Sequence, residues 1–256
     1  SLYLKSLNIA AAGIGVIMSL PQLVRIVAPH LWGWLTDRSG RHLRVARIAS
    51  VIGTAAYCAL FAVSDFEALF AVVLVMTFFL SASLPQIEVV TLSHLGEKTA
   101  LYGRVRVWGS IGFIAAVLAV GYVLDVLSIR VLLWIMLVIL IAATVFLFVV
   151  PEPPPSTHTH DHTPIAHLMR QPAVIALITA CALMAVAHGP YYTFYSIHLV
   201  GFGYSKAAVG WLWSLGVICE IAIFFWMAHL FRAFTLRQVL IASFALAGIR
   251  FAVIAV

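Results

Sequence analysis

An all-α membrane protein is the fold class this sequence predicts, and three observations carry the prediction. First, 64% of the 256 residues are hydrophobic and only 9% are charged, whereas soluble domains carry about a quarter charged residues. So few charges cannot cover a water-facing surface; lipid is the solvent this composition fits. Second, the apolar residues gather into eight runs: 7–32, 45–63, 68–92, 105–126, 131–150, 173–199, 207–230 and 239–256. Each reaches or nearly reaches the roughly 20 residues that cross a bilayer. Third, the runs do not alternate apolar and polar residues as barrel strands do. Backbone in lipid must satisfy its own hydrogen bonds, which such runs do as helices.

Taken in order, the runs are joined by connectors of alternating charge. The first leads into 33–44, with Arg38, Arg41 and Arg44. The second and third are joined through Ser64, Asp65, Phe66 and Glu67, without a cation. Connector 93–106 carries Lys98, Arg104 and Arg106, whereas 125–130 has only Arg130. Connector 151–172 contains Arg170, 201–206 only Lys206, and 231–238 both Arg232 and Arg237. Lys and Arg accumulate on the cytoplasmic side. Connectors 33–44, 93–106, 151–172 and 231–238 are therefore expected in the cytoplasm, with the first run entering from outside. The net charge of +6 then reports topology, and no nucleic-acid partner is expected.

Connector 151–172 is the longest and is rich in proline and polar residues, which marks a linker. It divides the chain into a helical bundle over 1–150 and the start of a second over 173–256. A faint repeat relates the two. His30 and Leu31 lead through a basic loop to Ile48, Ala49 and Ser50; His229 and Leu230 lead through a shorter one to Ile241, Ala242 and Ser243. Two related halves are a common transporter plan. The chain opens at Ser1 without Met and stops at Val256 inside an apolar run, so it is expected to be a fragment. Cys58, Cys181 and Cys219 all lie within apolar runs and are expected to be buried small hydrophobes. His158, His160, His162 and His167 sit in the linker without a rigid frame, and no metal site is expected of them. No nucleophile–base motif, nucleotide loop or zinc signature is present, so neither an enzyme nor a cofactor is predicted.

Polar residues within the runs nominate the site. Glu220 lies about 20 Å from the outer end of its run and Arg250 about 16 Å from the inner end of the next. Both fall near mid-membrane, where a charge costs roughly 2.5–3.5 kcal/mol, so a pair is expected. Glu88 likewise calls for a cation, with Arg106 or Arg104 the candidates across the connector. Gly109, Ser110 and Gly112 are small enough for close helix packing. His188, Tyr191, Tyr195 and His198 recur at three- and four-residue steps and share one face, and Pro190 should bend their helix. His188 and Tyr191 are deep enough to line a cavity. Arg25 is a further intramembrane cation, free to snorkel to the interface or to meet a carboxylate.

The string Gly33-Trp34-Leu35-Thr36-Asp37-Arg38-Ser39-Gly40-Arg41-His42 resembles the signature loop between helices 2 and 3 of the major facilitator superfamily, G-x-L-A-D-R-x-G-R-R. Gly33, Leu35, Asp37, Arg38, Gly40 and Arg41 match; Thr36 and His42 depart. The resemblance implies a gating loop here, and a chain covering about helices 2 to 9 of 12. The segment from Tyr102 to Phe113 resembles the start of helix 5 in the oligosaccharide:proton symporters, where a helix-4 glutamate and an arginine hold substrate; Glu88 and Arg106 correspond. The segment from His188 to His198 resembles helix 7 of the phenylpropionate permease branch. Glu220 and Arg250 follow the order of the coupling glutamate and arginine on helices 8 and 9. The resemblance implies a monomeric symporter of the bacterial inner membrane, with protons and a small organic solute as partners. It implies an aromatic carboxylate such as 3-phenylpropionate, while stacking rings leave a sugar or nucleoside open, and a non-transporting membrane sensor or scaffold, which an attached soluble domain would mark, is the remaining alternative. Arg25, Glu88, Arg106, His188, Tyr191 and Tyr195 would bind solute; Glu220 and Arg250 would couple it to the proton.

Overall fold

The structure, a computed structural model, describes residues 1–96, 98, 101–152 and 170–254. These form α1 (Leu2–Ser6), α2 (Ala11–Ser39), α3 (His42–Cys58), α4 (Phe66–Leu80), α5 (Ser83–Leu95), α6 (Tyr102–Val126), α7 (Val131–Val149), α8 (Pro172–Gly201), α9 (Lys206–Ala233) and α10 (Leu236–Ile254). Eight segments are long and apolar enough to cross a membrane, one for each predicted run. The chain is an all-helical integral membrane protein with the major facilitator fold. The linker histidines His158, His160, His162 and His167 lie outside the described residues.

One run is broken. Residues 68–92 read as a single helix, but the structure divides it at Ser81 and Ala82 into α4 and α5. Pro85 has no N–H to donate to the carbonyl of Ser81, so the ladder loses a rung there. The Ser81 hydroxyl turns back to the Phe78 carbonyl at 2.7 Å. In α8, by contrast, helix continues through Pro190.

Helix α3 is the hub of the first half. Its face of Leu43, Ala46, Ala49, Ser50, Gly53 and Tyr57 is buried. Along its length it is tied antiparallel to α7. Arg47 donates to the carbonyls of Leu147 and Val150 at 2.8 and 2.7 Å. Ser50 meets Thr144 at 2.7 Å, and the Tyr57 hydroxyl donates to the Leu133 carbonyl at 3.1 Å. Gly53 lets α4 approach: a Cβ there would lie 2.7 Å from Leu80. Ile14, Ile17, Leu20, Tyr57, Leu69 and Leu133 form the main apolar core.

Helices before and after residues 153–169 meet at the end opposite the basic connectors. There α6 and α9 cross antiparallel. A Cβ on Gly121 would sit 2.9 Å from the Lys206 carbonyl oxygen, and one on Gly210 would sit 3.1 Å from that of Val117. Asp125, in the last turn of α6, accepts from the backbone N–H groups of Lys206 and Ala207 at 2.6 and 3.0 Å. Lys206 donates through Nζ to the Leu124 carbonyl at 2.6 Å. Each helix thus satisfies end groups of the other, with charges matched to both dipoles. Beside them Phe194 of α8 reaches within 3.7 Å of where a Gly15 Cβ on α2 would stand.

Two packing expectations are corrected. Gly109 and Gly112 have nothing within 4 Å of an added Cβ; close packing uses Gly121 instead. Gly112 lies nine residues from Gly121, about half a turn round the helix at 100° per residue, and points away. Cys58, Cys181 and Cys219 are exposed free thiols, not buried ones. In a bilayer the outward faces are apolar too, so an apolar run does not reveal which face is covered.

Candidate functional site

The signature string builds an abrupt helix-to-helix turn. Gly33 through Ser39 finish α2, Gly40 takes the left-handed conformation at φ 63°, and α3 begins at His42. Glycine is the residue for that geometry. The Gly40 N–H donates to the Thr36 carbonyl at 2.7 Å. Thr36, which departs from the family string, is buried, and its hydroxyl donates back to Trp32 or Gly33 at 2.9 Å. Asp37, Arg38 and Arg41 are exposed, and Arg38 lies over the Trp34 ring at 5.6 Å.

In the first half, Glu88 of α5 and Arg106 of α6 form an ion pair at 2.7 Å. Of the two candidates, Arg106 is the partner. Both side chains remain partly accessible, so a polar solute has room to compete. Arg25 is exposed, its nearest side-chain partner being Gln22 at 3.5 Å; it joins neither this pair nor the cluster described next.

In the second half, α8, α9 and α10 bring together an aromatic shelf with one cation. Arg250 approaches His188 Nε2 at 2.7 Å and lies 4.5 Å above the Tyr191 ring. His188 Nδ1 faces the Met184 carbonyl at 2.8 Å. A carbonyl only accepts, which assigns the proton to Nδ1 and leaves Nε2 to accept from the guanidinium. Tyr191 in turn packs on Tyr195 at 4.6 Å and on Trp213 of α9 at 5.1 Å. Tyr192 stacks on Trp213 at an interplanar angle of 15°, and Trp213 donates to the Ser196 hydroxyl at 3.1 Å. A cavity of about 250 Å³ opens beside Tyr191, Tyr195, His198 and Phe251.

The expected Glu220–Arg250 pair does not form. Among the described residues the ion pairs are Arg47–Glu152 and Arg106–Glu88. The Arg250 guanidinium is instead directed at the His188 lone pair and two ring faces, Tyr191 and Phe251; similar depth in the membrane does not set which way a side chain turns about its helix. Glu220 is exposed. It lies seven residues after Trp213, hence on the same face of α9, about 10 Å nearer the basic end.

Trp213 and Phe251 were missed from sequence. The available signal was the seven-residue step from Trp213 to Glu220, which puts an indole and a carboxylate in one stripe. Phe251 carries no such mark, being one more aromatic in an apolar run.

Comparison with known proteins agrees with this architecture. Over 256 residues, 97% of this chain, it is 26% identical to a protein described as the probable 3-phenylpropionic acid transporter of Escherichia coli, of which it covers 66%. A 136-residue stretch, 52% of the chain, is 34% identical to the maltose permease of Geobacillus stearothermophilus and covers 34% of it. A crystal structure of a mutant of the nucleoside transporter NupG superposes with a TM-score of 0.77 at 19% identity, over 92% of this chain and 63% of that one. The chain therefore spans no more than about two thirds of these relatives. The profile of the MFS_1 like family matches residues 1–256, and with the signature turn and the eight spans on one chain, the protein belongs to that family of the major facilitator superfamily.

Proposed function

We propose that this chain is part of a proton-coupled symporter that carries a small aromatic carboxylate, such as 3-phenylpropionate, across the bacterial inner membrane by alternating access. The observation that carries the reading is the Arg250 shelf. An exposed guanidinium, unmatched by any carboxylate within ion-pair distance among the described residues, is fixed over Tyr191 and beside an aromatic cavity. A carboxylate satisfies the guanidinium through charge-assisted hydrogen bonds, and the solute's ring stacks on tyrosine and tryptophan. The basic connectors support a cytoplasmic placement of 33–44, 93–106, 151–172 and 231–238. On that orientation the reciprocal caps between α6 and α9 close the outer side.

Glu220 is the proton carrier in this scheme. Its carboxylate lies on the Trp213 face, without a cation of its own within ion-pair distance among the described residues. A proton entering His188 at Nε2 would remove the acceptor that Arg250 uses and free the guanidinium for solute. Arg106 and Glu88 hold polar groups of the solute from the opposite half, Arg25 attracts the anion, and the turn through Gly33, Asp37, Arg38, Gly40 and Arg41 gates the cytoplasmic side.

A sugar or nucleoside is the second reading, favoured by the accessible Glu88–Arg106 pair, which offers donors and acceptors to hydroxyl groups. Uptake of labelled 3-phenylpropionate, maltose and uridine by cells carrying the whole protein separates the two. Accumulation of the aromatic acid, lost in Arg250→Gln, is the expected result. Accumulation of maltose or uridine alone would overturn the aromatic-acid assignment.

A further inference from the structure

A second cavity lies away from the Arg250 shelf. It is a groove of about 650 Å³ between α3 and the end of α7, at the basic end of these helices. Three arginines, Arg41, Arg44 and Arg47, stand in it with Glu152, while Ile48, Val51 and Phe148 supply apolar walls. The order along α3 matters. The cations occupy its first turns, and the apolar residues follow from Ile48 onward, with Val51 about 10 Å deeper than Arg44. The wall thus changes from cationic to greasy over the height of a lipid headgroup and glycerol.

The arginines are not equivalent. Arg47 is spent on structure: it donates to Leu147 and Val150, lies 3.7 Å from Glu152 and sits 5.7 Å from the Phe148 ring centroid. Arg41 and Arg44 are exposed and have no carboxylate within ion-pair distance among the described residues. Ile48, Val51 and Phe148 are likewise exposed, at 53%, 47% and 59%. Ile48 and Val51 lie opposite the buried face of α3, so they point away from the bundle, and Phe148 stands exposed beside them on α7. A groove with two unmatched cations at its mouth and hydrocarbon-compatible walls below fits a molecule that is anionic at one end and apolar at the other.

We propose that this groove binds an anionic phospholipid, its phosphodiester between Arg41 and Arg44 and the start of an acyl chain along Ile48, Val51 and Phe148. Basic pockets between helices on the cytoplasmic side are suited to such headgroups. Arg47 positions the site by holding the end of α7 against α3. This inference does not depend on the transported solute.

The test uses the whole purified protein in nanodiscs of phosphatidylglycerol mixed with phosphatidylcholine. Native mass spectrometry then reads which lipid stays bound. The expected result is retention of phosphatidylglycerol over phosphatidylcholine, with Arg44→Gln lowering that preference by about fivefold, the contribution of one interfacial cation. Arg44→Lys should retain most of it. Arg232→Gln, an exposed arginine outside the groove, should leave it unchanged. An unaltered preference in Arg44→Gln, or an equal loss in Arg232→Gln, would reduce the signal to non-specific surface attraction and overturn the site. Displacement of the lipid by millimolar inorganic phosphate would instead mark a free-phosphate site. Size-exclusion profiles of each variant ensure that a folding failure is not taken for lost lipid.

Discussion

Arg250 illustrates how a charge within an apolar run is held with no carboxylate at ion-pair distance among the described residues. Its guanidinium has a lone pair at 2.7 Å from His188 and the faces of Tyr191 and Phe251 at 4.5 and 4.8 Å. Cation–π contacts are worth about 0.5–2 kcal/mol each, more when desolvated, and they leave part of the planar fork free. Lysine keeps the charge but not the fork. Arg250→Lys is therefore expected to raise the KM for an anionic solute by about tenfold, with a smaller effect on the maximum rate, as read from initial uptake rates. Trp213 supports the shelf from α9. Trp213→Ala should weaken solute binding although Arg250 is untouched, and Trp213→Phe should restore most of it. The residue types were legible from sequence, because intramembrane charges and a helical stripe of tyrosines are conspicuous. The partners were not. Depth alone placed Glu220 and Arg250 together, and depth cannot say which way a side chain turns about its helix.

At the scale of elements, the runs and their connectors could be read from hydropathy because each helix must satisfy its own backbone in lipid. The break between α4 and α5 could not, since apolar residues continue the run on either side of the Ser81–Glu88 stretch that holds Pro85. The crossing of α6 with α9 was equally hidden. It depends on Gly121 and Gly210, whose sequence neighbours do not distinguish them from Gly109 or Gly112. A methyl group at position 121 meets backbone atoms at 2.9 and 3.1 Å, which cannot swing aside as a side chain would. Gly121→Ala should push the helices apart at a cost of about 1–3 kcal/mol and favour the state open at this end. Asp125→Ala removes the carboxylate that accepts from the start of α9 and should act in the same direction. A cysteine introduced near Gly15 reports both changes: its labelling by a membrane-impermeant maleimide should speed up in each variant. Unchanged labelling would mean that the α6–α9 crossing does not set closure here.

On the scale of the molecule, the proposed transport needs two helical groups that rock about a central site. A change in composition near 151–172 suggests where such a division would fall. The contact of α6 with α9 had no such signal, because contacts such as Asp125 with Lys206 join residues about eighty positions apart and carry no local pattern. In the proposed scheme Glu220, on the Trp213 face and not paired with Arg250, would carry the proton without contacting solute.

That assignment is tested most directly by comparing Glu220→Gln with the parent in the whole protein, measuring both pH-driven accumulation and solute exchange at equal concentrations. Glutamine is nearly isosteric but cannot carry the proton. Uphill accumulation should vanish while exchange persists. Accumulation equal to that of the parent would show that the proton travels by another residue.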